Sequence, residues 1–342
     1  KLNIYIYTTK YIHYNESDNM YRGVRMKTES VVHEYKNYMG LGVKPSDFDK
    51  FWEHALDELN KLPMNFELEK VHIPSNIANF YNLYFMGVGG ARIRCQYICP
   101  KQMNGKIPGM LMFHGYHCDS GDFTDKLSWV AEGFAVLAMD CRGQGGLSED
   151  QTIVKGTTLK GFIIRGVESG PESLYYRSVF LDTVQAARIL MAMEEVDEES
   201  IVVQGASQGG ALALVCAALE PRVKKVFAQY PFLSDYRKTF EFDITSSAYE
   251  ELHYWFRFRD PMHEKEKEFF HTLEYIDIQH LASRIKAKVI WAMGLEDGIC
   301  YPATQFAVYN KIHSPKELII FPEYGHEYLP KLGDKVRGFF LD

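Results

Sequence analysis

Short, continuous apolar runs recur along the chain and are separated by stretches of helical character. Runs of this kind predict strands that are buried on both faces. They lie at residues 110–113, 134–140, 201–203, 223–230, 288–294 and 318–321. Strands buried on both faces and alternating with helices are typical of a mostly parallel sheet covered on both sides. The pattern therefore predicts an α/β fold.

Helical periodicity fills the spaces between these runs. An apolar stripe that includes Phe48 and Trp52 predicts a helix that begins near Pro45. Further helices are predicted at residues 124–132, 174–195, 211–219 and 302–312 and at the C-terminus. A hairpin is predicted at residues 79–98, and a turn at residues 106–109.

Two segments depart from this alternation. Residues 232–282 are polar and aromatic, which favours inserted helices that cover a site. Residues 1–34 show no clean periodicity, and we expect an N-terminal extension that is flexible or foreign to the natural sequence. Residues 35–342 are predicted to form a single domain. The irregular residues 151–171 are predicted to be loop.

Composition narrows the class of protein. The 342 residues are 46% hydrophobic and 24% charged, and the net charge of -7 argues against a nucleic-acid-binding surface. The sequence contains no apolar run of about 18 residues and no signal-peptide core near its start, so we expect a cytoplasmic protein without a membrane partner. The six cysteines lack disulfide or zinc spacing, which favours free thiols.

Gly205-Ala206-Ser207-Gln208-Gly209 follows a predicted strand and precedes a predicted helix. In that context the G-x-S-x-G pattern marks a sharp turn that exposes a nucleophilic serine. The helix N-terminus beneath it favours the negative charge of acyl transfer. We therefore predict Ser207 as a nucleophile, and the alternative is a glycine-rich turn with an ordinary serine.

Two further chemically competent residues follow later strands. Asp297 follows the predicted strand at residues 288–294, and His326 follows the last strand. Their order after Ser207 is that of an α/β-hydrolase triad, in which histidine takes the serine proton and a carboxylate orients the histidine. Glu296 is the rival acid, and His326 could instead be a structural surface histidine.

Acyl transfer also needs N–H donors for the oxyanion. The expected donors are the N–H groups of Gln208 and of Tyr116 in His114-Gly115-Tyr116, unless that tripeptide is only a strand-ending turn. The loop from Arg142 to Gly145 lacks the spacing of a phosphate-binding loop, and Arg142 is expected to brace nearby loops. Neither a zinc pattern nor a dinucleotide fingerprint is present, so no metal and no cofactor are predicted.

Together these motifs resemble carbohydrate esterase family seven, the acetyl xylan esterases and cephalosporin C deacetylases. Three signatures carry the resemblance: Arg142-Gly143-Gln144-Gly145, Gly205-Ala206-Ser207-Gln208-Gly209-Gly210 and His326-Glu327. Further matching segments include His114-Gly115-Tyr116, Tyr230-Pro231-Phe232-Leu233 and Gly294-Leu295-Glu296-Asp297-Gly298-Ile299-Cys300. The resemblance covers about residue 35 to the C-terminus. Ala206 departs from the glycine that the family often has there.

The resemblance implies an α/β-hydrolase fold and a triad of Ser207, Asp297 and His326, with Tyr116 and Gln208 amides as the oxyanion hole. It implies that Arg142, Gln144 and Pro231 bind substrate or support the site. It also implies removal of acetyl groups from small substrates, namely short xylo-oligosaccharides, acetylated sugars and cephalosporin C. A hexamer built as a trimer of dimers, partly through residues 151–171, and an intracellular location are implied as well.

Three alternatives stay open at this point. A broader short-chain carboxylesterase or a peptidase would use the same triad with a different pocket. A non-catalytic binding protein on the same fold is disfavoured by the complete triad. A lipase at a membrane surface lacks an obvious amphipathic lid stripe.

Overall fold

A computed structural model describes residues 3–6, 28–156, 161–242 and 249–342. Within these ranges ten strands form one sheet. Along the chain they are β1 (Asn3–Ile6), β2 (Phe66–Val71), β3 (Ala78–Met86), β4 (Arg92–Pro100), β5 (Ile107–Phe113), β6 (Ala135–Met139), β7 (Val196–Ala206), β8 (Lys225–Gln229), β9 (Lys288–Gly294) and β10 (Lys316–Phe321).

The strand order across the sheet is β1-β10-β9-β8-β7-β5-β6-β4-β3-β2. All pairs from β1 to β6 in this order are parallel, whereas β4 pairs antiparallel with β6 and β3, and β2 pairs antiparallel with β3. The predicted hairpin is therefore confirmed as β3 and β4. Because the parallel strands end at one edge, the loops after β5, β7, β9 and β10 meet there.

Helices cover both faces of the sheet. Along the described chain they are α1 (Phe48–Asn60), α2 (Leu127–Ala131), α3 (Tyr175–Met191), α4 (Gln208–Leu219), α5 (Tyr236–Glu241), α6 (Glu250–Arg259), α7 (Glu266–Leu273), α8 (Pro302–Tyr309) and α9 (Leu332–Leu341). Residues 28–35 are also helical. None of the helices among the described residues has the length and hydropathy needed to cross a lipid bilayer.

The sheet separates two apolar cores, one on each face. One contains Val203 with residues of α1, α3, α4 and the inserted helices, and the other contains the neighbouring Val202 with residues of α2 and α9. This alternation along β7 follows from the period of two in a strand. A mostly parallel sheet with helices on both faces confirms the predicted α/β-hydrolase fold, and α5, α6 and α7 confirm a helical insertion.

Two elements differ from the prediction. The expected turn at residues 106–109 is wrong, because β5 begins at Ile107 and continues through Pro108 and Gly109. A register shift against β7 between these two residues accommodates the proline, which cannot donate a ladder hydrogen bond. A Cβ on Gly109 would lie 2.8 Å from Cδ1 of Ile201, so close packing explains this glycine. The parallel pairing of β1 with β10 was not predicted.

Candidate active site

Ser207 lies at the sharp turn between β7 and α4. Its backbone has φ 56° and ψ -120°, a strained conformation for a residue with a side chain. The Ser207 N–H donates to the Gln229 carbonyl at 2.9 Å, which ties the turn to β8. A Cβ on Gly205 would overlap the Gly209 backbone, and one on Gly209 would overlap the Phe113 carbonyl. The glycines are therefore required by the close approach of strand and helix.

The carboxylate of Asp297 is fixed by contacts on both oxygens. Its Oδ1 accepts the N–H groups of Ile299 at 2.9 Å and Cys300 at 2.8 Å. Its Oδ2 lies 2.9 Å from Nδ1 of His326. The Asp297 side chain is fully buried, whereas the adjacent Glu296 is exposed. The geometry thus pairs His326 with Asp297, which is the candidate acid favoured from the sequence.

A thiol lies between the predicted nucleophile and the histidine–carboxylate pair. Sγ of Cys300, a ring nitrogen of His326 and a carboxylate oxygen of Asp297 lie within 4.8 Å of one another. Burial raises the pKa of the same thiol well above its usual value, and the nearby Ser207 hydroxyl lowers it by a smaller amount. The three predicted triad residues therefore meet around one protonated thiol.

These three ligand types could also hold a metal ion. Asp297, however, already engages both of its oxygens, and His326 engages Nδ1 with Asp297. The Cys300 thiol is protonated, while a metal ligand has to be a thiolate. The donor set therefore fits proton transfer better than metal binding.

Tyr230 supports the imidazole of His326. The two ring centroids are 4.2 Å apart, and the Tyr230 hydroxyl donates to the Glu327 carbonyl at 3.1 Å. Burial raises the pKa of Tyr230 to about 12, so the hydroxyl remains a donor at neutral pH. Pro231 follows directly, and the N–H of Phe232 then donates to the Ser207 carbonyl at 3.1 Å. Pro231 therefore lies in a segment that contacts both parts of the site.

The Gly115–Tyr116 peptide is oriented by its carbonyl group. Nδ1 of His114 lies 2.7 Å from the Gly115 oxygen, and Nε2 of His114 accepts the Cys141 N–H at 2.9 Å, which assigns the proton to Nδ1. Burial lowers the pKa of His114, which keeps the ring neutral. The side chain of Gln208 donates to the same carbonyl at 3.4 Å. In a trans peptide the Tyr116 N–H points away from these donors.

The other predicted donor, the N–H of Gln208, belongs to the first residue of α4. N–H groups in the first turn have no acceptor within the helix and carry the positive end of its dipole. The Gln208 side chain forms reciprocal amide hydrogen bonds with Gln144, at 2.8 and 3.1 Å. Oε1 of Gln144 also accepts the N–H of His117 at 3.0 Å. Gln144 therefore links the loops that carry the two predicted oxyanion donors.

Arg142 braces the loop that carries Gln144. Its guanidinium forms two hydrogen bonds of 2.7 Å with the Asp182 carboxylate and one of 3.1 Å with the Val88 carbonyl. The side chains of Arg142 and Asp182 are each 1% exposed. The arginine therefore has the bracing position expected from its five donors.

The structure brings together Ser207, Asp297 and His326. Gln208 at the start of α4 is linked through Gln144 to the loop that carries Tyr116. Sequence reasoning missed the supporting contacts of His114, Cys300 and Tyr230. Each of these three residues lies in a segment that carries the family resemblance, next to a predicted site residue. This proximity in the sequence was the signal that could have identified them. A serine at a strained turn, a histidine–carboxylate pair and two backbone donors can carry out nucleophilic acyl transfer.

Comparison with known proteins gives one consistent result. The family model for acetyl xylan esterase (AXE1) matches residues 26–342. Acetyl esterase Axe7A of Xylanibacter ruminicola is 30% identical over 314 residues, which cover 87% of this chain and 69% of that protein. Acetyl xylan esterase 1 from Thermoanaerobacterium sp. JW/SL YS485 is 48% identical, with a TM-score of 0.89 over 91% of this chain and 98% of that chain. The acetyl xylan esterase from Paenibacillus sp. R4 is 35% identical, with a TM-score of 0.87 and the same coverage of both chains.

Proposed function

This chain belongs to the acetyl xylan esterase family (AXE1), and from that premise we propose that Ser207, His326 and Asp297 carry out its reaction. The protein is an acetyl esterase, a serine-dependent hydrolase of carboxylic esters. The observation that supports the residue assignment is the 2.9 Å contact between His326 and the buried Asp297, beside the strained turn that presents Ser207.

In the first half-reaction, Oγ of Ser207 attacks the acetyl carbonyl while Nε2 of His326 takes the hydroxyl proton. Asp297 holds the proton on Nδ1 of His326 and stabilises the imidazolium that forms. Collapse of the tetrahedral intermediate breaks the ester bond, and the alcohol leaves with the proton from Nε2. The product is an acetyl ester on Ser207.

In the second half-reaction, Nε2 of His326 takes a proton from water, whose oxygen attacks the acetyl-enzyme. The intermediate releases acetate, and the proton returns to Oγ of Ser207. In both intermediates the oxyanion accepts the N–H groups of Gln208 and Tyr116. Losing one such donor costs about 3–4 kcal/mol of transition-state stabilisation in a serine protease. The hydrogen bonds to the Gly115 carbonyl support this role for Tyr116.

The substrate is a small acetylated carbohydrate, in particular an acetylated short xylo-oligosaccharide, and the sugar is the alcohol that leaves. Two relatives with structures are named acetyl xylan esterases, and this supports a xylan-derived substrate. Acetylated sugars and cephalosporin C belong to the same proposal, as do a homo-hexamer formed as a trimer of dimers and a cytoplasmic location. Sedimentation equilibrium would test the hexamer, since a monomeric mass would contradict it.

The central test compares the wild type with Ser207→Ala on a chromogenic acetate ester, with circular dichroism as the check of folding. We expect the folded variant to lose at least about 10³-fold in kcat, because the alanine removes the attacking hydroxyl. Equal activity of both proteins would refute the assignment.

A series of acetate, butyrate and longer esters separates an acetyl-selective pocket from that of a broader carboxylesterase. We expect kcat/KM to fall as the acyl chain lengthens. Equal rates for butyrate and acetate would favour the broader enzyme.

A further inference from the structure

Residues 114–116, which carry the proposed Tyr116 donor, are called the oxyanion loop. The inserted helix α6 contacts this loop through one buried carboxyl group. Glu251 is 1% exposed, and its Oε1 accepts the hydroxyl of Tyr116 at 2.6 Å. The other oxygen, Oε2, accepts the N–H of Ile164 at 2.9 Å. The neighbouring N–H groups of Phe162 and Ile163 also favour the charged form of this carboxylate. Glu251 therefore accepts hydrogen bonds from two other segments of the chain, one on each oxygen.

The loop at residues 161–164 is shaped around this carboxylate. Gly161 has φ 115°, and a Cβ there would overlap Oε2 of Glu251. The N–H of Phe162 lies 3.0 Å from the Tyr116 hydroxyl oxygen, and the rings of Phe162 and Tyr116 pack edge to face at 5.5 Å. Helix α6, this loop and Tyr116 thus form one hydrogen-bonded cluster.

We propose that Glu251 is a positioning residue that holds Tyr116, and with it the second oxyanion donor, by joining helix α6 to the loop at residues 161–164. The inference rests on the proposed role of the Tyr116 N–H. His114 holds the same residue's peptide from its carbonyl side, and Glu251 holds its side chain. Both contacts together leave the Tyr116 backbone little freedom to turn.

The ionised carboxylate fits this cluster better than the protonated form. Burial raises the pKa of Glu251 to about 7, although the Tyr116 hydroxyl and the three N–H groups lower it. Protonation would turn one carboxylate oxygen into a donor. The neighbouring N–H groups cannot accept a hydrogen bond, so only the Tyr116 hydroxyl could, and the present bond from that hydroxyl to Glu251 would then be lost. Glu251 also interacts electrostatically with Tyr176 of α3 and Tyr236 of α5. The cluster should therefore loosen as the pH falls through about 7.

The test measures kcat and KM of wild type, Glu251→Gln and Tyr116→Phe on the acetate ester between pH 6 and 8. At pH 8 we expect each variant to lose about 10- to 100-fold in kcat with KM changed less than about threefold, because the donor is displaced rather than removed. The double variant should be no worse than the more severe single variant, since both substitutions act on the Tyr116–Glu251 hydrogen bond.

The pH dependence separates positioning from a general structural effect. The ratio of wild-type to Glu251→Gln kcat should shrink from pH 8 to pH 6, since protonation of Glu251 loosens the wild-type cluster. This ratio cancels any pH dependence that both proteins share. The control is Glu274→Gln, a second buried carboxyl in the insertion whose pKa burial also raises to about 7 and which contacts His280. The ratio of wild-type to Glu274→Gln kcat should stay constant from pH 8 to pH 6.

Each outcome decides the inference. A folded Glu251→Gln with kcat within twofold of wild type at pH 8 would overturn it, as would a ratio that does not change with pH. If that variant does not fold, Tyr116→Phe decides, because it removes the bond and leaves the carboxylate with its N–H donors. Ser207→Ala is measured in the same series. Its full activity would refute the proposed function, whereas an inactive Ser207→Ala beside a fully active Glu251→Gln would refute only the positioning role.

Discussion

Asp297→Asn should abolish most activity through the tautomer of His326. Oδ1 of Asp297 accepts two buried N–H groups, at 2.9 and 2.8 Å, so the amide oxygen of an asparagine has to occupy that position. In the opposite orientation the asparagine NH₂ group would face these two N–H donors. Each buried donor left without an acceptor would cost about 1–3 kcal/mol. The NH₂ group must therefore point at His326.

An NH₂ group at that position donates to Nδ1 of His326, so the ring proton moves to Nε2. In this tautomer Nε2 cannot accept the proton of Ser207. The corresponding change in a serine protease lowers kcat about 10⁴-fold, which equals about 5.5 kcal/mol of activation free energy. We expect a loss of this size here, with little change in KM.

The assay combines kcat and KM on the acetate ester with ¹⁵N chemical shifts of the His326 ring, which report the protonated nitrogen. The matched control is Glu296→Gln, which changes the exposed neighbouring acid and should leave kcat within about twofold. A folded Asp297→Asn within tenfold of the wild-type kcat would refute the reasoning, as would a proton retained on Nδ1.

Two further predictions concern stability. Asp182→Asn should lower the free energy of unfolding in urea by about 3–5 kcal/mol, because it leaves the buried Arg142 guanidinium without its charged partner; the exposed pair of Lys224 and Glu199 supplies the control, and Glu199→Gln should cost less than about 1 kcal/mol. Burial raises the pKa of Asp277 from 3.8 to about 7. Between these two values the folded state retains a proton that the unfolded state releases. The free energy of unfolding therefore falls as the pH rises from about 4 to 7. Asp277→Asn should remove this contribution. If urea unfolding showed the same difference in free energy between pH 5 and pH 7 for the variant as for the wild type, the prediction would be contradicted.

The sequence predicted features that local patterns determine. The strand before Ser207 and the helix after it each carry an apolar pattern of their own, and the order of Ser207, Asp297 and His326 follows from which strands end at the same sheet edge. The contacts that support these residues join distant parts of the chain. The Tyr116–Glu251 bond spans 135 positions and the Arg142–Asp182 pair spans 40. No periodicity in a single chain indicates such pairs.

Strand limits depended on tertiary context in the same way. Residues 106–109 contain a proline and a glycine, which locally favour a turn. Pairing of β5 with strands on both sides outweighs that preference, and the register shift beside Pro108 accommodates the missing N–H. The short β1 at the sheet edge has too few residues to show an alternating pattern, so its pairing with β10 could not be predicted.

The oxyanion loop shows how the insertion can influence the chemistry without contributing a triad residue. The Gly115–Tyr116 unit is held by His114 from its own loop, by Gln208 from α4 and by Glu251 from the insertion. The first two contacts act on the carbonyl of the peptide whose N–H is the proposed donor, so they set its direction. The third acts on the Tyr116 side chain, and the positioning role proposed for Glu251 is that this contact fixes where the donor lies relative to Ser207. A substitution in α6 that moves Glu251 should therefore lower kcat even though α6 lies outside the strand-end motifs, and this dependence is the one expected when catalysis relies on donors fixed before the substrate binds.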